Sequence, residues 1–108
     1  MSATDRLLPE ALRSGLARLR GWGACGDQLR ARYKLPSFAA AVSFTVQIAE
    51  VAEELQHHPE WSVVYREVEV STTTHDVGAL TPLDLALAER VQAIADRCGA
   101  TPVAGPAG

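Results

Sequence analysis

The three histidines of this 108-residue chain lie close together: His57 and His58 are adjacent, and His75 follows at the end of a strand-like run. Histidine exchanges a proton near neutral pH because its unperturbed pKa lies just below neutrality. A chain that used histidines only for packing would scatter them. The clustering therefore predicts a proton-transfer site.

The hydrophobic pattern divides the chain into short elements without a long linker. The predicted elements are a helix over 7–20, strands over 22–25 and 28–35, a helix of about twenty residues from Phe38 to the histidine pair, a strand over 63–73, and a helix that ends at Gly99. Ser37 is the expected N-cap of the long helix, and Pro59 is expected to end it. This order predicts an α+β fold with helices on one face of an antiparallel sheet.

One domain is expected over residues 1–99, followed by a disordered tail over 100–108 that is rich in small residues, Pro and Gly. If helices cover only one face of the sheet, its other face and its edge strand would expose apolar side chains and unpaired backbone groups. Such surfaces favour self-association. We therefore expect a homodimer or a homotetramer.

Composition excludes several classes of protein. The net charge of −3 and the dispersed Lys and Arg residues argue against direct nucleic-acid binding. Polar residues interrupt the most apolar segment, 38–55, so no membrane span is expected. Residues 1–10 lack the apolar run of a signal peptide. Cys25 and Cys98 are far apart, which predicts neither a disulfide framework nor a zinc ribbon, and a cytoplasmic location is expected.

The histidine pair is expected in the last turn of the long helix, where the helix dipole favours a cation by about 0.3–1 kcal/mol. Glu53 precedes His57 by four residues, and Glu54 precedes His58 by four, so each acid would share a helix face with one histidine. Both effects would stabilise imidazolium. The alternative is that the histidines only complement the dipole and that the two acids form a solvated face.

Asp84 has two candidate roles, one in a helix cap and one in the catalytic site. Thr81-Pro82-Leu83-Asp84 has the pattern of a capping box, with an acid three residues after the N-cap. The two roles are compatible.

A zinc site built from the three histidines is an alternative to the proton-transfer site, but adjacent ligands chelate one ion poorly. We therefore expect no metal.

Seven residues together resemble the signature of the pterin-4a-carbinolamine dehydratases: Glu53, His57, His58, Pro59, Tyr65, His75 and Asp84. The signature covers about a third of the chain. The resemblance implies three helices on a sheet of about four strands. It also implies a dehydratase that removes water from 4a-hydroxytetrahydropterin to give quinonoid dihydropterin, without metal, nucleotide or redox cofactor, in tetrahydrobiopterin recycling.

The resemblance also implies residue roles. His57 and His75 would be the acid–base groups, His58 would bind substrate or share that work, and Asp84 would orient His75. The pterin pocket would be lined by Gln56, His57, His58, Thr73, Thr74, His75 and Asp76. Family members form dimers and tetramers, and the pathway would include an aromatic amino-acid hydroxylase.

Ala79 stands where the family usually has a second glycine, which matters only if the position needs a positive φ.

The alternative function is that of a non-catalytic assembly or transcriptional-regulatory partner with the same fold. Retention of all three histidines and Asp84 favours the enzyme, since a scaffold would not require them.

Overall fold

The computed structural model describes residues 5–103. Its helices and strands are, in chain order, α1 (Pro9–Leu16), β1 (Trp22–Cys25), β2 (Gln28–Lys34), α2 (Phe38–Leu55), β3 (Glu60–Val64), β4 (Glu67–Thr72), α3 (Pro82–Cys98) and β5 (Thr101–Pro102). Within this part of the chain, no helix is both long and apolar enough to cross a membrane.

The strands form one antiparallel sheet in the order β1-β2-β4-β3, and β5 pairs with the end of β2. The three helices lie on one face of the sheet, so the predicted α+β class is confirmed. The sheet has five strands rather than about four, because residues 101–102 add a short one. Thr101 pairs with Lys34 there, although residues 100–108 were predicted to be disordered. Residues 104–108 lie outside the described part.

The core lies between the helices and the sheet. Alternation in β2 buries Leu29, Ala31 and Tyr33, which are opposite Thr72, Val70 and Val68 of β4. The Tyr33 ring packs edge-on against Phe44 of α2, with ring centroids 5.5 Å apart. The Tyr33 hydroxyl accepts a 2.8 Å hydrogen bond from the indole nitrogen of Trp22. Burial raises the pKa of Tyr33 to about 12.

The open face of the sheet is charged, in contrast to the predicted apolar surface. The alternate residues of β2 that point away from the helices are Arg30, Arg32 and Lys34. Arg32 and Lys34 lie opposite Glu69 and Glu67 of β4, and Arg32 forms a 3.9 Å ion pair with Glu67. Successive side chains of a strand point to opposite faces. The apolar residues of β2 point into the core, so its charged residues lie on the open face. The face therefore needs no cover to remain in water.

Apolar exposure lies instead on α2. Phe38, Val42 and Val46 are 54, 42 and 55% exposed and recur every four residues, so they form one stripe along the first half of the helix. We call these three residues the α2 stripe. No charged side chain occurs between residues 38 and 49.

The first predicted helix and the strand predicted over 63–73 have different bounds. The helix predicted over 7–20 is confined to Pro9–Leu16: Leu8, which precedes a proline, is extended, and after Leu16 the NH groups of Arg18 and Leu19 bond carbonyls three residues back. The strand predicted over 63–73 is two strands, β3 and β4, joined by a turn at Tyr65, whose φ is +53°. Val64 is opposite Glu67, so it lies on the open face and is 72% exposed.

Candidate active site

The long helix ends before the histidine pair, and this corrects the expected position of both histidines. Ser37 caps the start of α2 as predicted, by accepting a bond from the NH of Ala40. At the other end Gln56 adopts the left-handed conformation, with φ +53°, and the NH of His57 bonds the carbonyl of Ala52 at 3.0 Å. The chain thus leaves the helix direction at Gln56. His57 and His58 lie beyond the last turn and do not project from it.

His57 is buried and bound to Asp84. Its Nε2 lies 2.6 Å from Oδ1 of Asp84, with His57 8% exposed and Asp84 fully buried. Asp84 was expected to orient His75, and that expectation is wrong: the carboxylate bonds His57 instead. Asp84 also completes the predicted capping box of α3 with Thr81. The Asp84 carboxylate therefore caps the start of α3 and also fixes the position of His57.

Four polar groups contact the Asp84 carboxylate. Oδ1 lies near Nε2 of His57 and accepts a 2.7 Å bond from the hydroxyl of Thr72. Oδ2 accepts bonds from the hydroxyl of Thr74 at 2.8 Å and the NH of Thr81 at 2.9 Å. An ionised carboxylate only accepts hydrogen bonds, so these three donors match its charged form. The group links the loop after α2, the end of β4 and the start of α3.

Glu53 and Glu54 contact partners other than those expected. Glu53 lies 3.4 Å from Nε2 of His58 rather than beside His57, and both side chains are exposed. Glu54 forms a 2.9 Å ion pair with Arg90 of α3 and not with His58. Residues four apart share a face only within a helix, and α2 ends at Leu55, before both histidines. Glu53 and Glu54 therefore do not lie beside the expected histidines. Exposed pairs such as these contribute about 0–1 kcal/mol, so neither acid fixes a histidine firmly.

His75 and Asp76 lie in a tight loop between β4 and α3. The NH of Thr74 bonds the carbonyl of Ala79 at 3.2 Å, and the NH of Gly78 bonds the carbonyls of Thr74 and His75. Gly78 has a φ of +69°, whereas Ala79 is not among the residues with positive φ. The alanine at position 79 is thus compatible with the loop. The loop exposes both His75 and Asp76 to solvent.

All seven predicted pocket residues border one open cleft of about 340 Å³, a size in the usual range for small-molecule sites. Its lining is Gln56, His57, His58, Thr73, Thr74, His75, Asp76 and Leu83. Leu83 was not predicted; its place in the apolar stripe of α3 indicated only packing. Thr72 was also missed, although its alternation with Val68 and Val70 indicated a buried hydroxyl that needs a partner.

The cleft offers acid–base groups in two environments. His57 is held by a buried carboxylate, while His58 and His75 are exposed to solvent, and His58 lies 3.4 Å from Glu53. Within residues 5–103, no three side chains of His, Cys, Asp or Glu are grouped so that they could hold a metal ion. The arrangement can give and take protons on one bound molecule.

Fold and cleft together define a small α+β protein with a candidate acid–base site for a small molecule. The chain belongs to the pterin 4 alpha carbinolamine dehydratase family, whose model matches residues 5–94.

Similar proteins agree with this membership. Curated relatives from Nitrobacter winogradskyi and Prochlorococcus marinus, each named "Putative pterin-4-alpha-carbinolamine dehydratase", are 41 and 42% identical to this chain. The alignments cover 88 and 84% of this chain and 96 and 94% of the relatives. A crystal structure of a transcriptional coactivator/pterin dehydratase from Brucella melitensis superposes with a TM-score of 0.81 at 34% identity. It covers 84% of this chain and 99% of that one.

Proposed function

We propose that the protein is a 4a-hydroxytetrahydrobiopterin dehydratase, a cytoplasmic hydro-lyase that acts in tetrahydrobiopterin recycling. The observation that supports this most directly is the meeting of three histidines, from the α2–β3 and β4–α3 loops, at one cleft. Family membership supports the reaction class. The substrate would be a pterin that carries a hydroxyl at C4a, and the hydroxyl would come from an aromatic amino-acid hydroxylase.

The proposed reaction needs one acid and one base. The acid protonates the hydroxyl on C4a, the C4a–O bond breaks, and water leaves. The base takes the proton from N5, whose bonding electrons form the C4a–N5 double bond of quinonoid dihydropterin. No electron is gained or lost overall, so protein side chains alone can carry the reaction. Each positioned acid or base contributes typically about 10²–10⁴-fold.

The proposed assignment gives the proton transfers to His57 and His75. Nε2 of His57 is directed at Asp84, so Nδ1 is the ring nitrogen available to substrate. His75 also lines the cleft and would approach the pterin from the exposed loop between β4 and α3. His58 binds the substrate or shares the transfer. The side chains of Gln56, Thr73 and Asp76 form the remaining polar contacts of the proposed site, and Thr74 forms part of the wall because its hydroxyl already bonds Asp84.

We also propose that the protein forms a homodimer or homotetramer through the α2 stripe. Phe38, Val42 and Val46 expose apolar surface on a helix segment without charges, which a second copy can cover with the same surface. Two-fold packing of identical stripes makes such a contact self-complementary. The charged open face of the sheet gives no comparable reason to associate.

The second candidate function is a non-catalytic assembly or transcriptional-regulatory partner. Two observations favour it: the similar Brucella protein is described as a transcriptional coactivator as well as a pterin dehydratase, and the α2 stripe is exposed. Turnover of 4a-hydroxytetrahydropterin by the purified protein separates the two candidates. A dehydratase accelerates the loss of this substrate. With a pure assembly partner, the substrate is lost at the rate measured in buffer alone.

A further inference from the structure

Thr72 makes a contact that the proposed reaction does not yet use. It is the last residue of β4 and is 3% exposed. Its hydroxyl donates at 2.7 Å to Oδ1 of Asp84, the same oxygen that lies 2.6 Å from Nε2 of His57. A buried hydroxyl and a buried imidazole therefore converge on one carboxylate oxygen.

The protons of this network can be followed. Each hydroxyl has a single proton, and that of Thr74 is given to Oδ2 of Asp84. The hydroxyl of Thr81, 2.7 Å from that of Thr74, must then donate to it, while accepting a bond from the NH of Leu83. Thr72 likewise gives its proton to Oδ1. The hydroxyls of Thr72 and Thr74 donate to the carboxylate, and that of Thr81 donates to Thr74. The bond between His57 and ionised Asp84 must then have the Nε2–H of His57 as its donor.

The free ring nitrogen of His57 is accessible. Among residues 5–103, Oε1 of Gln92 is the only buried side-chain nitrogen or oxygen atom without a hydrogen-bond partner. Nδ1 of His57 also has no hydrogen-bond partner, so it is not fully buried, and His57 lines the cleft. A neutral His57 with Nε2–H thus presents an unprotonated Nδ1 to a bound molecule.

We propose that Thr72 and Thr74 are positioning residues that hold neutral His57 as its Nε2–H tautomer, with Nδ1 ready to accept a proton in the cleft. The two hydroxyls act through Asp84, one on each oxygen, and touch no substrate through these groups. The catalytic meaning of this tautomer rests on the proposed dehydratase function. The tautomer itself is a property of the free protein.

Loss of either hydroxyl has a definite consequence. Without the Thr72 donor, a buried carboxylate oxygen keeps a lone pair unsatisfied, which weakens the ionised form of Asp84. The pair can then take up one proton from solvent on Nδ1 of His57 while the Nε2 proton moves to Oδ1 of Asp84, which donates it back to Nε2. In that state Asp84 is neutral, and neutral His57 carries its proton on Nδ1 and can no longer accept one from the cleft.

The test is nitrogen-15 NMR of the substrate-free protein labelled at histidine, at a pH where His57 is neutral. Spectra of His58→Ala and His75→Ala identify the His57 signals. In the wild type we expect a protonated Nε2 and a bare Nδ1. In Thr72→Val, and in Thr74→Val made in parallel, we expect an Nδ1–H population to appear. Thr72→Ser should restore the wild-type spectrum, because serine keeps the donor.

Kinetics supply the second measurement. Thr72→Val should lower kcat about tenfold or more, in the range for residues that orient a catalytic ligand, while KM changes little because the cleft lining is intact. Thr45→Val is the matched control: Thr45 is also buried, but its hydroxyl bonds the carbonyl of Val42 inside α2. It should leave kcat and the His57 spectrum unchanged.

The outcomes are separable from those of the proposed function. An unchanged His57 tautomer in folded Thr72→Val and Thr74→Val would overturn the inference, whatever the activity. A shifted tautomer in a protein whose wild type shows no turnover would support the inference and contradict the dehydratase. Melting curves identify any variant that fails to fold, and the other valine variant then decides.

Discussion

His57 Nε2 lies 2.6 Å from Oδ1 of Asp84, and this contact joins the loop after α2 to the first turn of α3. Because both side chains are buried, the bond is shielded from water and stronger than the exposed pairs of Glu53 and Glu54. It fixes His57 in the lining of the cleft, with one ring nitrogen bonded to the protein. The remaining nitrogen is the group that the proposed chemistry uses.

Asp84→Asn should lower both turnover and stability. Asparagine offers one oxygen, and its NH₂ group would face two of the four donors around position 84, so a buried bond pair is lost at about 1–3 kcal/mol. We expect kcat to fall about 10–100-fold, as for other residues that orient a catalytic group. Stopped-flow assays and urea melts measure the two effects.

The control for this variant is Asp27→Asn, since Asp27 is exposed in the turn between β1 and β2. Its stability should stay within about 0.5 kcal/mol of the wild type. Full turnover in Asp84→Asn would mean that the His57–Asp84 bond serves only the cap of α3.

The three histidines should differ in what their loss does to the fold. His58→Ala and His75→Ala remove exposed side chains, so stability should change by less than about 0.5 kcal/mol. His57→Ala leaves the buried Asp84 without one of its donors and should lower the melting temperature clearly. For turnover, His57→Ala and His75→Ala should each cost about 10²–10⁴-fold. Equal melting temperatures for all three variants would contradict the buried His57–Asp84 contact.

Tyr33 should make the fold sensitive to alkali. Its pKa is raised to about 12 in the folded protein by burial, so the folded state holds the phenol proton more tightly than the unfolded state. The resulting stabilisation is complete below the unfolded pKa of about 10 and is lost as the pH rises through about 12. Urea melts of wild type and Tyr33→Phe between about pH 9 and 12 test this.

The free energies of unfolding of these two proteins should converge across that window. Tyr65→Phe is the control, because Tyr65 is 72% exposed, and its difference from the wild type should not depend on pH. A constant difference between wild type and Tyr33→Phe would show that the buried phenol does not limit alkaline stability.

The α2 stripe should control assembly. Val42→Glu puts a charge at the middle of the stripe, and burying it against a second copy would be unfavourable, so sedimentation should show a smaller species than the wild type. Val64→Glu is the matched control at the end of the edge strand β3, and it should keep the wild-type size. Dissociation by Val64→Glu alone would favour pairing across that edge over the helix contact.

The sequence predicted those parts of the fold whose signals are local. Gly26-Asp27, which suits a tight turn, correctly separated the short strands β1 and β2, and Thr81, Pro82 and Gly99 correctly predicted both ends of α3. The end of α2 and the β3–β4 turn were missed, because Gln56 and Tyr65 adopt positive φ without a glycine or asparagine to indicate it. Contacts elsewhere in the fold must offset the cost of such a conformation. Sequence alone does not reveal that compensation.

The sequence predicted which residues line the candidate site, but not which of them form hydrogen bonds with each other. The clustering of the histidines predicted a proton-transfer site, and the family resemblance implied the seven pocket residues, all of which border one cleft. Which histidine contacts Asp84 depends on how the chain turns at Gln56 and how the 74–79 loop folds. Both are tertiary features. For the same reason Glu53 and Glu54 were paired with the wrong partners.

The most direct test of the proposed function is turnover of 4a-hydroxytetrahydropterin by the purified wild-type protein, followed by absorbance in buffer with a chelator and no added cofactor. We predict a rate well above the buffer blank, reduced about 10²–10⁴-fold in His57→Ala and His75→Ala and unchanged in Asp27→Asn. A wild-type rate equal to the blank, from protein that is folded by circular dichroism, would contradict the dehydratase and favour the assembly partner.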